Sequence, residues 1–268
     1  MRRHHETGVR KGGRSPNIAL QRETGQEPRY RKHLKRRTPI RSASRFVLQH
    51  PDETPEHHSP LQTISSRSTQ SRFINRYDSR EISIPVDRSC INNESKDEMA
   101  RPSGGLELPF KGDMYHDGGI IGFPLEESGP GGESYNATSN RAKLRAVIAA
   151  LEFRAWHEEG WRRIVIATDL KYVVDGATTH LPQWVRRGWR TSRFKNVINR
   201  DLWEELNGII QSLQRSGTLV SFWLLHSGNL AKTWSALVRE TKAAVKKAAI
   251  EHIDKVALEF TRLCAIML

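Results

Sequence analysis

The spacing of apolar residues along this 268-residue chain changes sharply near Glu81. Before it, apolar positions are scattered without period among Arg, Ser, Thr, Pro and His, a composition that buries too little surface to offset the entropy of ordering. Beyond it, Ile82, Ile84 and Val86 alternate with Ser83, Pro85 and Asp87. That is the two-residue period of a half-buried strand, and Pro85 predicts an edge or distorted one. Residues 91–117 are turn-rich. Ile120, Ile121 and Phe123 predict a strand within 118–125, followed by a Gly-Pro-Gly-Gly loop at 129–132. Leu144, Val147, Ile148, Leu151 and Ala155 then recur at the spacing of one helix face, with Asn140 as the expected cap and Gly160 ending the unit. Ile164 to Ala167 reads as a buried strand that stops at Thr168-Asp169. A short helix over 170–176 is closed by Gly176, and a longer one over 200–214 runs through Leu202, Leu206, Ile209, Ile210 and Leu213. Leu219 to Leu225 predicts a last strand. From Leu230 to Leu268 there is neither Gly nor Pro, which predicts one long helix or two. Strands first, then helix and strand in alternation, describe an α/β domain with a mixed sheet.

Charge sharpens the division. Residues 1–80 hold 18 Lys and Arg against 7 Asp and Glu, whereas residues 81–268 hold 25 against 23. The expected organisation is a disordered basic arm over 1–80, an α/β domain over 81–248 and a C-terminal helical extension over 249–268. Arg31 to Arg37 reads as a nuclear-localisation or nucleic-acid patch, or equally as a plain solvated charge run. Cys90 and Cys264 alone make no disulfide framework, so a reducing intracellular setting is expected. No run of 18 apolar residues predicts a membrane span, and no apolar leader follows the N-terminus. A monomer in the nucleus or cytoplasm, rather than the mitochondrion, fits these features.

Three places carry candidate chemistry. Asp87 and Asp169 each follow an apolar strand, where α/β sheets gather ligands and where paired carboxylates suit Mg²⁺. An Asp after a strand is also an ordinary turn residue. Trp184, Arg186, Arg187, Trp189 and Arg190, with Trp203 beyond them, interleave cations and aromatics as a nucleic-acid surface does; a core tryptophan pair with solvated arginines fits the same composition. Lys143 is the oddity. Counted from Asn140 it takes the capping-box position where an acid is expected, and Arg141 and Arg145 flank it, an unfavourable balance of ~0.3–1 kcal/mol at a helix N-terminus.

Four motifs in order give these pieces a common source. Val86-Asp87-Arg88-Ser89-Cys90, Thr138-Ser139-Asn140-Arg141-Ala142-x-Leu144, Ala167-Thr168-Asp169-Leu170-Lys171-Tyr172-Val173-Val174-x-Gly176, and Trp184 through Trp203 resemble the type 1 ribonuclease H family, specifically its fungal members, over roughly residues 81–248. The resemblance implies the ribonuclease H-like fold, a five-stranded mixed β-sheet flanked by α-helices. It also implies a nuclease that cuts the RNA strand of an RNA–DNA hybrid, with four carboxylates holding two Mg²⁺ (or Mn²⁺) ions. By position, Asp87 and Asp169 match two metal ligands and His226, in His226-Ser227-Gly228, the catalytic loop histidine. Ser139, Asn140 and Arg141 match the hybrid-contacting turn. Trp184, Arg186, Arg187, Trp189 and Arg190 match the basic handle that receives the DNA strand.

The chain departs from the family pattern where charge matters most. Lys143 stands in place of the metal-binding Glu, and counting on from Asn229 puts Thr233 in place of the last Asp. No Asp or Glu occurs from 227 to 239, and Glu240 lies about 10 Å along a helix from that position. Arg88 replaces the Gly after the first Asp. Two carboxylates and an ammonium are left where four carboxylates are expected, and unit charges ~4 Å apart interact by about 4 kcal/mol at an effective dielectric near 20. Three accounts fit these replacements: a hybrid ribonuclease with an altered site, a nucleic-acid-binding pseudoenzyme, and a decayed or misread reading frame beyond Trp223.

Overall fold

The computed structural model describes residues 42–48, 50, 52–63, 71–90, 102–107, 120–225 and 259–262. Its centre is β7 (Arg163–Thr168), whose unbroken apolar run is explained by burial on both faces. Ile164 and Ile166 enter a large core, while Val165 and Ala167 enter a second, smaller one. On one side β7 pairs in parallel with β4 (Glu81–Cys90), on the other with β8 (Leu219–Leu224). The strand order is β1 (Ser44–Arg45), β8, β7, β4, β3 (Ser71–Ile74), β2 (Leu61–Thr63). An antiparallel hairpin of β5 (Pro102–Glu107) and β6 (Ile120–Pro124) also joins β4. The large core lies between this sheet and the helices α2 (Ser139–Glu152) and α5 (Arg200–Arg215), which pack against one another.

The sheet is mixed and the class is α/β. Strands β4, β6, β7 and β8 are those the apolar pattern predicts, and with β5 they make the five that the resemblance implies; three more come from residues 44–74, inside the arm expected over 1–80. This corrects that boundary. The smaller core faces away from α2, and residues 42–63 cover it: Phe46 and Leu48 pack on it, and the Phe46 ring lies 5.0 Å from Trp223. His58, at the end of the single-turn helix α1 (Pro55–His58), closes on Trp223 at 5.7 Å. Strands this short show no period in sequence. Residues 102–107, read as turn, are likewise a strand.

β4 is central rather than at an edge. Its second side pairs with β3 through Ser83 and with β5 from Val86 onward. Pro85 sits where one partner gives way to the other, so its missing N–H interrupts no continuous ladder. Helix α2 begins two residues earlier than expected: Thr138, not Asn140, is the cap, and its hydroxyl accepts from the Arg141 N–H at 3.3 Å. Lys143 therefore lies beyond the first turn, outside the capping-box position. Of the extension expected over 249–268, residues 259–262 are described and are not helical. Phe260 packs on the large core, and Arg262 pairs with Glu152 and Glu205.

Gly176 does not end a helix either. α3 (Lys171–Asp175) continues through a π-helical turn (Gly176–His180) into α4 (Leu181–Arg186). Glycine is required there by Trp203, since an added Cβ would lie 2.1 Å from Cη2 of that buried ring and 2.5 Å from Cζ2. Gly176→Ala is accordingly expected to lower stability by about 2–3 kcal/mol through overpacking. A urea melt measures it as a lower midpoint at unchanged slope; an unaltered midpoint would mean the ring moves aside freely.

Candidate functional site

The parallel pairing of β4 with β7 aligns Ile84 with Ile166 and Pro85 with Ala167. That pairing ends there; counted two positions further in the same register, Asp87, within β4, falls opposite Asp169, the residue after β7. Asp87 is paired with Gly105 of β5 on its other side, and Asp169 is exposed just past the end of β7. The backbone thus brings together the two aspartates that the sequence singled out. α2 packs against β4 and β5 and carries half-buried Lys143. Among the described residues, no three His, Cys, Asp or Glu side chains are grouped to hold a metal ion. His226 and Thr233 lie outside the described residues.

At the start of α2, Ser139 is half-buried and Asn140 exposed, but Arg141 is only 3% exposed. Its guanidinium grips Asp201 of α5 with two parallel bonds, at 2.9 and 2.7 Å, and lies 3.9 Å over the Tyr135 ring. Burial, with the Asp201 and Glu133 carboxylates nearby, holds the Tyr135 phenol above its ordinary pKa and so in its neutral form. Arg145 is buried in the same way against Glu126, with bonds at 2.7, 2.9 and 3.0 Å. These arginines are therefore internal clamps. For Arg141, expected from sequence to face the hybrid, both terminal nitrogens are taken up by Asp201, and its buried Nε has no hydrogen-bond partner.

The segment after α3 builds a second surface. Trp184 stacks on His180 at 5.5 Å and meets Trp203 edge-on at 5.3 Å, and Trp203 in turn lies 5.7 Å from Tyr172. Trp184 and Trp189 both pack against the large core, so the tryptophans here are props. The chain reverses through Gly188 and Trp189, at φ 62° and 64°, and the Trp189 N–H returns to the Trp184 carbonyl at 2.7 Å. Arg186, Arg187, Arg190, Arg193 and Lys195 are all exposed, and no Asp or Glu occurs between Gly176 and Arg200. Such an uncompensated run gives a field that attracts polyanions. The sequence reading used the first three cations and missed Arg193, Lys195 and the intervening Phe194; the acid-free run is the signal that marks them.

The family model for RNase H matches residues 116–230. The chain is 37% identical to ribonuclease H of Cyanothece sp. over 99 residues, covering 37% of this chain and 59% of that protein. It is 36% identical to ribonuclease H of Xanthomonas campestris pv. campestris over 132 residues, covering 49% of this chain and 73% of that one. The crystal structure of LC9-RNase H1, described as a type 1 RNase H with the type 2 active-site motif, aligns over 65% of this chain and 72% of its own at 23% identity, with a TM-score of 0.40.

Proposed function

The chain belongs to the ribonuclease H family, and from that premise we propose that it binds RNA–DNA hybrid while cleaving it weakly or not at all. Arg186, Arg187 and Arg190 supply phosphate contacts that do not depend on sequence. The start of α2, with Ser139 half-buried and Asn140 exposed, would meet the minor groove, where A-form shape and 2′-hydroxyls distinguish RNA. The observation that carries the reading is the donor set beside β4 and β7. Asp87 and Asp169 stand level, and the helix packed on β4 carries Lys143 where the family has Glu.

A pair of Mg²⁺ ions needs several oxygen donors and a strongly negative site. Two carboxylates and a lysine ammonium do not fit that requirement, and Thr233 in place of the fourth acid lowers the fit further. The favoured function is thus recognition without turnover. An altered but active ribonuclease is the second reading, favoured by the level aspartate pair.

A labelled hybrid incubated with the full chain and Mg²⁺ or Mn²⁺ tests the proposal. The expected result is salt-sensitive retention of the hybrid, with affinity falling steeply as salt rises, and intact RNA. Metal-dependent cleavage that disappears in Asp169→Asn overturns it in favour of the second reading.

A further inference from the structure

Phe194, at the tip of the loop after α4, is 80% exposed and holds φ at 59°, left-handed backbone that is unfavourable for a bulky residue. The backbone around it is pinned by other groups. The Thr191 N–H donates to the Lys195 carbonyl at 2.9 Å, the Phe194 N–H to the Thr191 carbonyl at 3.0 Å, and the Lys195 N–H to the Thr191 hydroxyl at 3.1 Å. The Arg190 guanidinium donates to the Phe194 carbonyl at 3.2 Å. Arg190 and Asn196 complete an antiparallel bridge at the base of the loop. The ring is therefore presented to solvent on a braced turn, between the exposed cations Arg193 and Lys195. Ile198, 79% exposed, adds apolar surface four residues on.

A glycine or asparagine would occupy this backbone with less strain and would expose less apolar surface. A strained and exposed aromatic is an observation from which function can be inferred, and its chemistry narrows the ligand. An aromatic ring flanked by cations suits a nucleobase face with phosphates on either side. Bases inside a duplex are stacked on each other, so a protein ring reaches a base face only where pairing ends.

We propose that Phe194 stacks on an unpaired nucleotide where a single strand leaves the duplex held by Arg186, Arg187 and Arg190, so that the protein prefers hybrids with a single-stranded extension to blunt ones. The inference rests on the nucleic-acid reading above and names the substrate class within it. Arg193 and Lys195 hold the phosphates that flank the stacked base.

The full chain is titrated, in EDTA and at physiological salt, into a blunt RNA–DNA hybrid and into the same hybrid with a single-stranded extension bearing 2-aminopurine at its first unpaired position. The extended hybrid is expected to bind about fivefold more tightly, the low end of an aromatic–base stack, with a change in 2-aminopurine fluorescence on binding. Phe194→Asn, which tolerates the left-handed backbone, is expected to bring the affinity ratio towards one and to abolish the fluorescence change; Phe194→Trp should keep both. Equal binding of the two hybrids overturns this proposal alone. A preference that survives in Phe194→Asn also overturns it, since the basic arm would then be holding the extension. Failure to bind either hybrid overturns the underlying nucleic-acid reading together with it.

Discussion

Lys143→Glu combined with Thr233→Asp is expected to raise metal-dependent cleavage of the RNA strand by roughly a hundredfold or more over the unmodified chain. Each ~1.4 kcal/mol of barrier is a factor of ten, and one pair of unit charges ~4 Å apart at an effective dielectric near 20 is worth about 4 kcal/mol. The gain therefore asks for less than one such interaction, while the double substitution removes a cation and adds two anions. The first change acts on α2, which packs on the strand bearing Asp87, level with Asp169. Lys143→Glu alone is expected to give a smaller gain, because it removes the competing ammonium but leaves the fourth ligand missing. Gel-resolved cleavage of a labelled hybrid in Mg²⁺ and Mn²⁺ measures both. Folded variants that still leave the RNA intact would show that the replaced acids are not what limits this site.

Arg141→Ala should destabilise the fold by about 3–5 kcal/mol, because it strands the Asp201 carboxylate beneath the surface without its partner. Both side chains of the pair are almost completely shielded from solvent, and the fork geometry is bidentate. Replacing the pair with apolar residues, as in Arg141→Met with Asp201→Leu, is expected to recover most of the loss, since desolvating two charges cancels much of what their attraction contributes. Thermal unfolding of the two single variants and the double variant gives the coupling directly. The same series separates two roles for Arg141. A clamp lowers the melting point while the folded fraction still binds hybrid; a ligand contact weakens binding with the melting point intact.

The parts of the fold legible in the sequence were those whose burial pattern is local. Leu202, Leu206, Ile210 and Leu213 are all buried on α5 at the spacing that predicted a helix. The apolar run at Ile164–Ala167 is the central strand it promised to be. What escaped depends on partners distant in sequence. Pro85 argued for an edge because its tolerance comes from β3 and β5 sharing one side of β4, which a single strand cannot reveal. Gly176 looked like a helix stop because its real constraint is the ring of Trp203, well along the chain. The cap at α2 slipped because Thr138, Ser139 and Asn140 are all competent caps, and only backbone angles distinguish them. At the candidate site, the exposed cations after Trp184 were legible as a charged run. The buried role of Arg141 was not, because Asp201, which takes up its charge, lies on another helix.

The short pairing of β1 with β8 has a practical consequence for anyone trimming this chain. Ser44 and Arg45 lie along β8 in register with Ser221 and Phe222, and Phe46 shields Trp223 behind them. Cutting at residue 80, where the composition changes, would strip a backbone edge and an aromatic patch at once. Bare strand edges recruit other chains, so the shortened protein is expected to self-associate, and its clumping would masquerade as lost affinity for nucleic acid. The unit that holds this sheet begins at Pro39, and a cut made there keeps the β1–β8 pairing and Phe46 in place.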